Sequence, residues 1–169
     1  VPPIPGDVVV ALIDPDFIFL RPLTTKAAGE PNLLFSSGNK ASDIFDRAGK
    51  GKAVAQQYGL GAPWARKGGH PKFNRDAVCG ANSPCLLENE NFAANHYSVG
   101  PPYLVQKDDL HRLAVTWTTF VPRVYEGYPY LLAEMYAYSM ASSHEKLPHL
   151  QLDHYMVSNT DAGGEEIGR

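Results

Sequence analysis

Apolar residues cluster in short runs near the two ends of the chain, and these runs predict β-strands. Residues 8–13 form a continuous apolar run rich in β-branched residues, typical of a strand that is covered on both faces in an α/β sheet. A tight bend follows, and residues 17–20 and 32–36 predict two further short strands. Late in the chain, residues 98–106 and 150–158 predict strands as well.

Helical periodicity marks the stretch between these last two strands. From residue 107 to 120 the apolar positions recur at helical spacing: Leu110, Leu113, Ala114, Trp117 and Phe120. Asp108 and Asp109 open this stretch, where the helix dipole favours acidic residues. Residues 128–146 predict a second helix with Pro129 in its first turn. Because this helix is apolar nearly all round, we expect it to be deeply buried.

The middle of the chain, from residue 37 to 95, has no clear hydrophobic period. Gly, Pro and Asn accumulate there, as in "RKGGHPKFN" and "CGANSPC". So long an irregular stretch is unusual in a compact domain and often forms a functional lid or binding loop. The pattern as a whole predicts a single α/β domain.

Length and charge limit the classes of protein to which this chain can belong. The 169 residues, of which 44% are hydrophobic and 20% charged, suit one globular domain. The net charge is −3 and the Lys and Arg residues are scattered, so we expect no nucleic-acid partner. No apolar run approaches the ~20 residues that span a bilayer. The chain opens without Met on a loop-like segment, so we expect a piece of a longer protein, with any membrane anchor outside these residues.

The two cysteines, Cys79 and Cys85, are separated by a short loop rich in Gly, Asn, Ser and Pro. This spacing allows a disulfide in an oxidising compartment, and it equally allows two unpaired thiols. A metal pair fits less well, because zinc sites use shorter spacings and more Cys or His nearby.

Asp14 and Asp16 directly follow the first apolar run, where ligands of α/β sheets usually bind. Two carboxylates this close repel each other and need a cation, unless one is protonated or turns outward to water. An oxygen-rich open site suits Mg²⁺ or Mn²⁺. The alternative is a local turn, in which both side chains bond to the backbone.

Several longer blocks carry a family resemblance. They are "IDPDFIFLRPL", "VAQQYGLGAPW", "VGPPYLVQKDDLHRLAVTW", "FVPRVYEGYPYLLAEMYAYSMASSH" and "DHYMVSNTDAGGE". Together they resemble the peptidyl-serine α-galactosyltransferases of green algae and plants, and more loosely the related hydroxyproline O-arabinosyltransferases. The resemblance runs over most of the chain. It implies the C-terminal portion of a GT-A fold, a mixed sheet flanked by helices, with residues 1–169 forming part of the catalytic domain.

The resemblance implies roles for individual residues. Asp14 and Asp16 match the Asp-x-Asp motif that binds Mn²⁺ (or Mg²⁺) and, through it, the UDP-sugar. A late histidine often adds a further metal ligand, and His154 is the first candidate, with His149 the second. Glu134, which we expect to be buried and bonded to Tyr138, is a candidate to bind sugar hydroxyls or stabilise positive charge at the anomeric carbon. A purely structural hydrogen bond is the alternative for Glu134.

Other residues have candidate roles in binding. Asp153 is a second candidate for sugar or acceptor contact. Trp64, Trp117 and Tyr103 could stack on sugar or peptide, although the spacing of Trp117 favours core packing. The block that contains Gln56, Gln57 and Tyr58 resembles a family segment near the substrates, but by sequence alone it predicts a solvated helix end.

The function implied is retaining, metal-dependent transfer of galactose from UDP-galactose to serine of hydroxyproline-rich, extensin-type glycoproteins in the lumen of the endoplasmic reticulum or Golgi. A GT-A domain normally begins with a strand–helix–strand portion that holds the nucleotide, and only thirteen residues precede Asp14. We therefore expect the isolated chain to bind UDP-sugar weakly and to be inactive. The alternatives are hydroxyproline O-arabinosyl transfer, non-catalytic binding of Pro-rich peptide, and, last, metal-dependent hydrolysis.

Overall fold

The computed structural model describes residues 8–19, 23, 48–153 and 155–156. These residues form a mixed α/β fold with a four-stranded mixed sheet flanked by helices. The strands are β1 (Val9–Leu12), β2 (Ala53–Gln57), β3 (Val99–Gln106) and β4 (His149–Leu152). The helices are α1 (Arg75–Cys79), α2 (Glu90–His96), α3 (Lys107–Gly127) and α4 (Ala133–His144), with 3₁₀ turns at Pro63–Ala65 and Pro84–Leu87. None of the helices described is both long and apolar enough to cross a membrane.

The order of the strands determines which segments meet at one end of the sheet. The order is β1-β3-β2-β4, with β3 antiparallel to β1 and β2, and β2 parallel to β4. Strands β1, β2 and β4 therefore run in one direction and end at the same place, where β3 begins. We call this place the carboxyl end of the sheet.

Strands β1 and β3 agree with the sequence prediction, but the environment of β1 does not. Strand β4 ends at Leu152, so the predicted strand at 150–158 is too long, and residues 153, 155 and 156 are not in a strand. We expected both faces of β1 to be covered. Instead β1 lies at an edge of the sheet in the described residues, and Val9 is 39% exposed. The predicted strand at 17–20 is irregular over residues 17–19, and Leu20 and the predicted strand at 32–36 lie outside the described residues.

Strand β2 lies between β3 and β4, inside the stretch predicted to be irregular. Ala53, Val54 and Ala55 are fully buried there, because β2 pairs with β3 on one side and β4 on the other. Alanine has a low preference for strands. This segment therefore forms a strand because it pairs with distant segments, and not because of its local propensity.

Helix α3 begins as predicted. The side chain of Gln106 accepts hydrogen bonds from the backbone N–H groups of Asp108 and Asp109, which caps the first turn. The buried face carries Leu113, Phe120 and Val124.

Helix α4 starts later than predicted. Residues 128–132 form a turn in which Leu132 has the left-handed backbone conformation, with φ 77°, so Pro129 precedes the helix instead of opening it. From Met135 to Ser143 every residue is buried, which confirms the prediction of a deeply buried helix.

Three aromatic residues join the helices to the sheet. The Tyr138 ring of α4 stacks on Tyr103 of β3, with ring centroids 4.0 Å apart, and meets the edge of Trp117 of α3 at 5.2 Å. The Tyr138 hydroxyl hydrogen-bonds to Nε2 of His149 in β4 at 2.9 Å. One buried side chain thus contacts three other elements of the fold.

Cys79 and Cys85 form a disulfide, with their Cα atoms 6.1 Å apart. The bond links the end of α1 to the 3₁₀ turn at Pro84–Leu87, and both cysteines are buried. Of the two alternatives that the spacing left open, the disulfide is the one present.

Reduction of this disulfide is expected to lower the free energy of unfolding by about 2 kcal/mol, because a short closed loop no longer restricts the unfolded chain. Urea unfolding with and without dithiothreitol measures the difference. The double variant Cys79→Ala/Cys85→Ala is the control, since its unfolding should not respond to the reductant. Equal stability of the wild type in both conditions would contradict the prediction.

Candidate functional site

The predicted metal motif lies in a turn at the carboxyl end of the sheet. Strand β1 ends at Leu12, and the backbone N–H of Phe17 donates to the carbonyl oxygen of Asp14 at 3.2 Å. Asp14 and Asp16 are both exposed, and in the described part of the chain neither carboxylate makes a hydrogen bond or an ion pair. The turn is therefore closed by the backbone, and both carboxylates remain available to a ligand.

Tyr103 lies beside this turn. The register of the sheet pairs Tyr103 with Leu12, two residues before Asp14. Burial raises the pKa of the Tyr103 phenol strongly, and the negative charges of Asp14 and Glu134 and the nearby Tyr58 raise it further. Two carboxylates that are far apart in sequence thus act on the same phenol, which remains protonated.

Glu134 is exposed, so the expectation that it is buried was wrong. The reason is the late start of α4, which places Glu134 in the first turn, where an acidic residue is favoured by the helix dipole. Tyr138, the expected partner of Glu134, bonds to His149 instead. Only the backbone of Glu134 makes a structural hydrogen bond in the described residues: its carbonyl oxygen accepts from Nε1 of Trp117 at 2.8 Å.

Gly100 brings the beginning of α4 close to the beginning of β3. A Cβ atom at Gly100 would lie 2.8 Å from Cδ2 of Tyr58 and 3.0 Å from Cε of Met135. Only glycine allows both side chains to approach the strand this closely. Met135 follows Glu134 directly, so this contact positions the first turn of α4 at the carboxyl end of the sheet.

These residues define the carboxylate site: Asp14, Asp16, Tyr58, Tyr103 and Glu134. Its donor set suits a cation that keeps several water ligands, because Asp14 and Asp16 present free carboxylate oxygens on a turn. Within the described ranges, no group of three or more His, Cys, Asp and Glu residues is arranged to hold a metal ion. Asp14 and Asp16 would therefore supply part of a coordination shell.

Asp153 lies at the same end of the sheet but on the opposite side. It follows β4, which is three strand spacings from β1, or ~14 Å at the usual separation of neighbouring strands. Asp153 thus lies apart from Asp14 and closer to the end of β2. His154, the first candidate for a third metal ligand, is outside the described residues.

His149, the second candidate ligand, is placed where it could not reach the Asp-x-Asp turn. It begins β4, so it lies at the end of the sheet opposite Asp14, and it is fully buried. Its Nε2 is bonded to the hydroxyl of Tyr138. His149 is a core residue, and the prediction that it could bind the metal was wrong.

Gln56 is a residue whose role the sequence did not indicate. The expectation of a solvated helix end was wrong, since Gln56 is buried in β2. Its side-chain oxygen accepts hydrogen bonds from the backbone N–H groups of Tyr155 (2.7 Å) and Met156 (3.0 Å). Gln56 thereby fixes the segment that follows β4 and Asp153.

Trp64 does not face a ligand. Its side chain is fully buried, and Nε1 donates to the hydroxyl of Ser139 at 2.9 Å. The expectation that Trp64 could stack on sugar or peptide was wrong, and its function is core packing.

A second concave surface lies near the other end of α4. It is a cleft of about 920 Å³ with apolar and aromatic walls that include Pro84, Leu86, Leu87, Phe92 and Tyr97. Ser143 and Lys146 also line this cleft. Ser143 is nine residues after Glu134, so the cleft is ~14 Å along the helix from the carboxylate site.

The stability of the protein is expected to fall at acidic pH because of His149. Burial lowers the pKa of His149 to about 3, against 6.5 for a solvated imidazole. Between these values the unfolded chain binds a proton that the folded chain does not. The free energy of unfolding should therefore decrease by up to about 1.4 kcal/mol per pH unit as the pH falls below about 6.5.

Urea unfolding between about pH 5 and about pH 7 measures this slope. His149→Gln should remove this contribution, whereas the exposed His111→Gln should retain it. If wild type and His149→Gln had parallel pH dependences, the prediction would be wrong.

Comparison of the chain with protein-family models, curated proteins and solved structures found no match.

Proposed function

We propose that the chain is part of the catalytic domain of a GT-A glycosyltransferase, and that the enzyme transfers galactose from UDP-galactose to serine of hydroxyproline-rich proteins with retention of configuration. The observation that carries the proposal is the carboxylate site. Asp14 and Asp16 present free carboxylates beyond β1, and Glu134 reaches the same end of the sheet from α4. The blocks that resemble the peptidyl-serine galactosyltransferases support the choice of sugar and acceptor.

Asp14 and Asp16 would hold Mn²⁺ (or Mg²⁺), with His154 proposed as a further ligand. The bound metal supplies positive charge that stabilises the diphosphate of the departing nucleotide. Without a cation the two carboxylates would repel a diphosphate, so donor binding at this place requires one.

Glu134 and Asp153 are proposed as contacts of the substrates. Glu134 is exposed and makes no side-chain hydrogen bond in the described residues, so its carboxylate is free to accept hydrogen bonds from sugar hydroxyls. Asp153, on the far side of the sheet end, is proposed to contact the acceptor. Neither residue needs to act as a base, because a retaining reaction can proceed on the front face of the donor.

The Cys79–Cys85 disulfide supports the proposed location. Disulfides persist in oxidising compartments, which include the lumen of the secretory pathway where such glycoproteins are made. Hydroxyproline O-arabinosyl transfer is the alternative activity for the same site, since galactose and arabinofuranose differ in a few hydroxyl contacts.

The cleft near the end of α4 favours a second candidate function, the binding of Pro-rich peptide without catalysis. Phe92 and Tyr97 line it together with apolar residues, and aromatic-lined grooves recognise extended Pro-rich segments. This function does not depend on Asp14 or Asp16.

Asp14→Asn and Asp16→Asn are each expected to reduce galactose transfer at least about 100-fold, because each removes a ligand of the metal that stabilises the leaving group. Transfer from UDP-galactose to a Ser-Hyp peptide is measured with Mn²⁺ and with EDTA, on the longest protein that carries this chain. UDP-arabinofuranose as the donor tests the alternative sugar.

Asp76→Asn is the matched control, because Asp76 is an exposed aspartate on α1, and its activity should equal that of the wild type. Transfer that survives EDTA would overturn the metal role of Asp14 and Asp16. Absence of transfer, together with peptide binding that is unchanged in Asp14→Asn, would favour the binding function.

A further inference from the structure

The hydroxyl group of Tyr103 is an unusual feature of the carboxylate site. The Tyr103 side chain is buried, with only 4% of the residue exposed, and its ring stacks on Tyr138. Within the described part of the chain its hydroxyl makes no hydrogen bond, yet it is not among the polar atoms that are sealed from solvent. A largely buried hydroxyl is expected to have a partner, because desolvating one without a hydrogen bond costs free energy.

The surroundings of this hydroxyl show where a partner would enter. Its electrostatic neighbours are Asp14, Glu134 and Tyr58, which come from the turn after β1, from α4 and from the end of β2. The register of the sheet pairs Tyr103 with Leu12, two residues before Asp14, and Met135, which follows Glu134, packs against Gly100 of the same strand. The phenol therefore lies at the same end of the sheet as both carboxylates. A phenol carries its proton at neutral pH, so Tyr103 acts as a hydrogen-bond donor.

The chemistry of these groups selects the kind of ligand atom. Carboxylates accept hydrogen bonds, and the phenol donates one. An alcohol does both, so a single sugar hydroxyl can donate to Glu134 and accept from Tyr103. A phosphate oxygen only accepts, and it would be repelled by the two nearby carboxylates wherever a cation does not separate them.

We propose that Tyr103 is a sugar-binding residue, whose hydroxyl donates to a hydroxyl group of the transferred sugar while the same group donates to Glu134. The proposal rests on the proposed function and names a specific contact within that site. It also explains why a tyrosine, and not phenylalanine, stands at a position that the core could fill with either ring.

Tyr103→Phe is the direct test, because it removes one oxygen and keeps the ring that stacks on Tyr138. In the longest protein that carries this chain, the Michaelis constant for UDP-galactose should rise about tenfold, as for the loss of one hydrogen bond in a buried site. The dissociation constant for UDP, which lacks the sugar, should stay unchanged, and so should the thermal unfolding midpoint. Tyr136→Phe, at another buried tyrosine whose ring packs against Phe73, is the matched control and should leave the constants for UDP-galactose and UDP at wild-type values.

Glu134→Gln provides a second variant, which changes an exposed side chain and therefore does not depend on the stability of the core. It should also raise the Michaelis constant for UDP-galactose and leave UDP binding unchanged. The double variant Tyr103→Phe/Glu134→Gln should raise the Michaelis constant for UDP-galactose by less than the product of the two single increases, because both residues bind the same hydroxyl group.

The outcomes separate this proposal from the proposed function. Wild-type transfer with an unchanged Michaelis constant in Tyr103→Phe would overturn the sugar contact and leave the transferase in place. Equal weakening of UDP and UDP-galactose would assign the phenol to the diphosphate and likewise overturn it. A wild-type protein that neither binds nor uses UDP-galactose would overturn both.

Discussion

Burial of the Tyr138 side chain is the contact on which the arrangement of helices and sheet depends. Its ring stacks on Tyr103, meets the edge of Trp117, and its hydroxyl bonds to His149, so one residue of α4 contacts β3, α3 and β4. Burial keeps the imidazole of His149 neutral in the folded protein. Loss of this contact would separate α4 from the sheet at its centre.

The same packing positions the residues of the carboxylate site. Because α4 is held against β3, its first turn lies at the end of the sheet, and the charges of Glu134 and Asp14 both act on the Tyr103 phenol. Gly100 completes the arrangement by allowing Tyr58 and Met135 to meet at the beginning of β3. The carboxylate site is therefore assembled by the core, although its acidic side chains are exposed. Tyr103 joins the core to the carboxylate site, because its ring stacks on Tyr138 and the charges of Asp14 and Glu134 act on its phenol.

Much of the framework could be predicted from the sequence, because α3, α4, β3 and β4 have strong local patterns. The position of Asp14 and Asp16 after a strand was also predictable from one apolar run. Strand β2 was not, since Ala53, Ala55 and Gln56 have weak strand preferences and are buried only by pairing with distant strands. The exposure of Glu134 depends on the left-handed conformation of Leu132, which delays the start of α4 and leaves no clear mark in the sequence. Whether Cys79 and Cys85 pair depends on how α1 and the following turn are oriented, which spacing alone leaves open.

Asp14 and Asp16 are proposed to hold a divalent cation together against a UDP-sugar. Electron paramagnetic resonance of Mn²⁺ tests this binding directly, on the longest protein that carries this chain, with UDP-galactose present. We expect bound Mn²⁺ in the wild type and in Asp76→Asn, and its loss in the double variant Asp14→Asn/Asp16→Asn. Mn²⁺ binding of equal strength in the double variant and the wild type would show that these aspartates do not hold the metal.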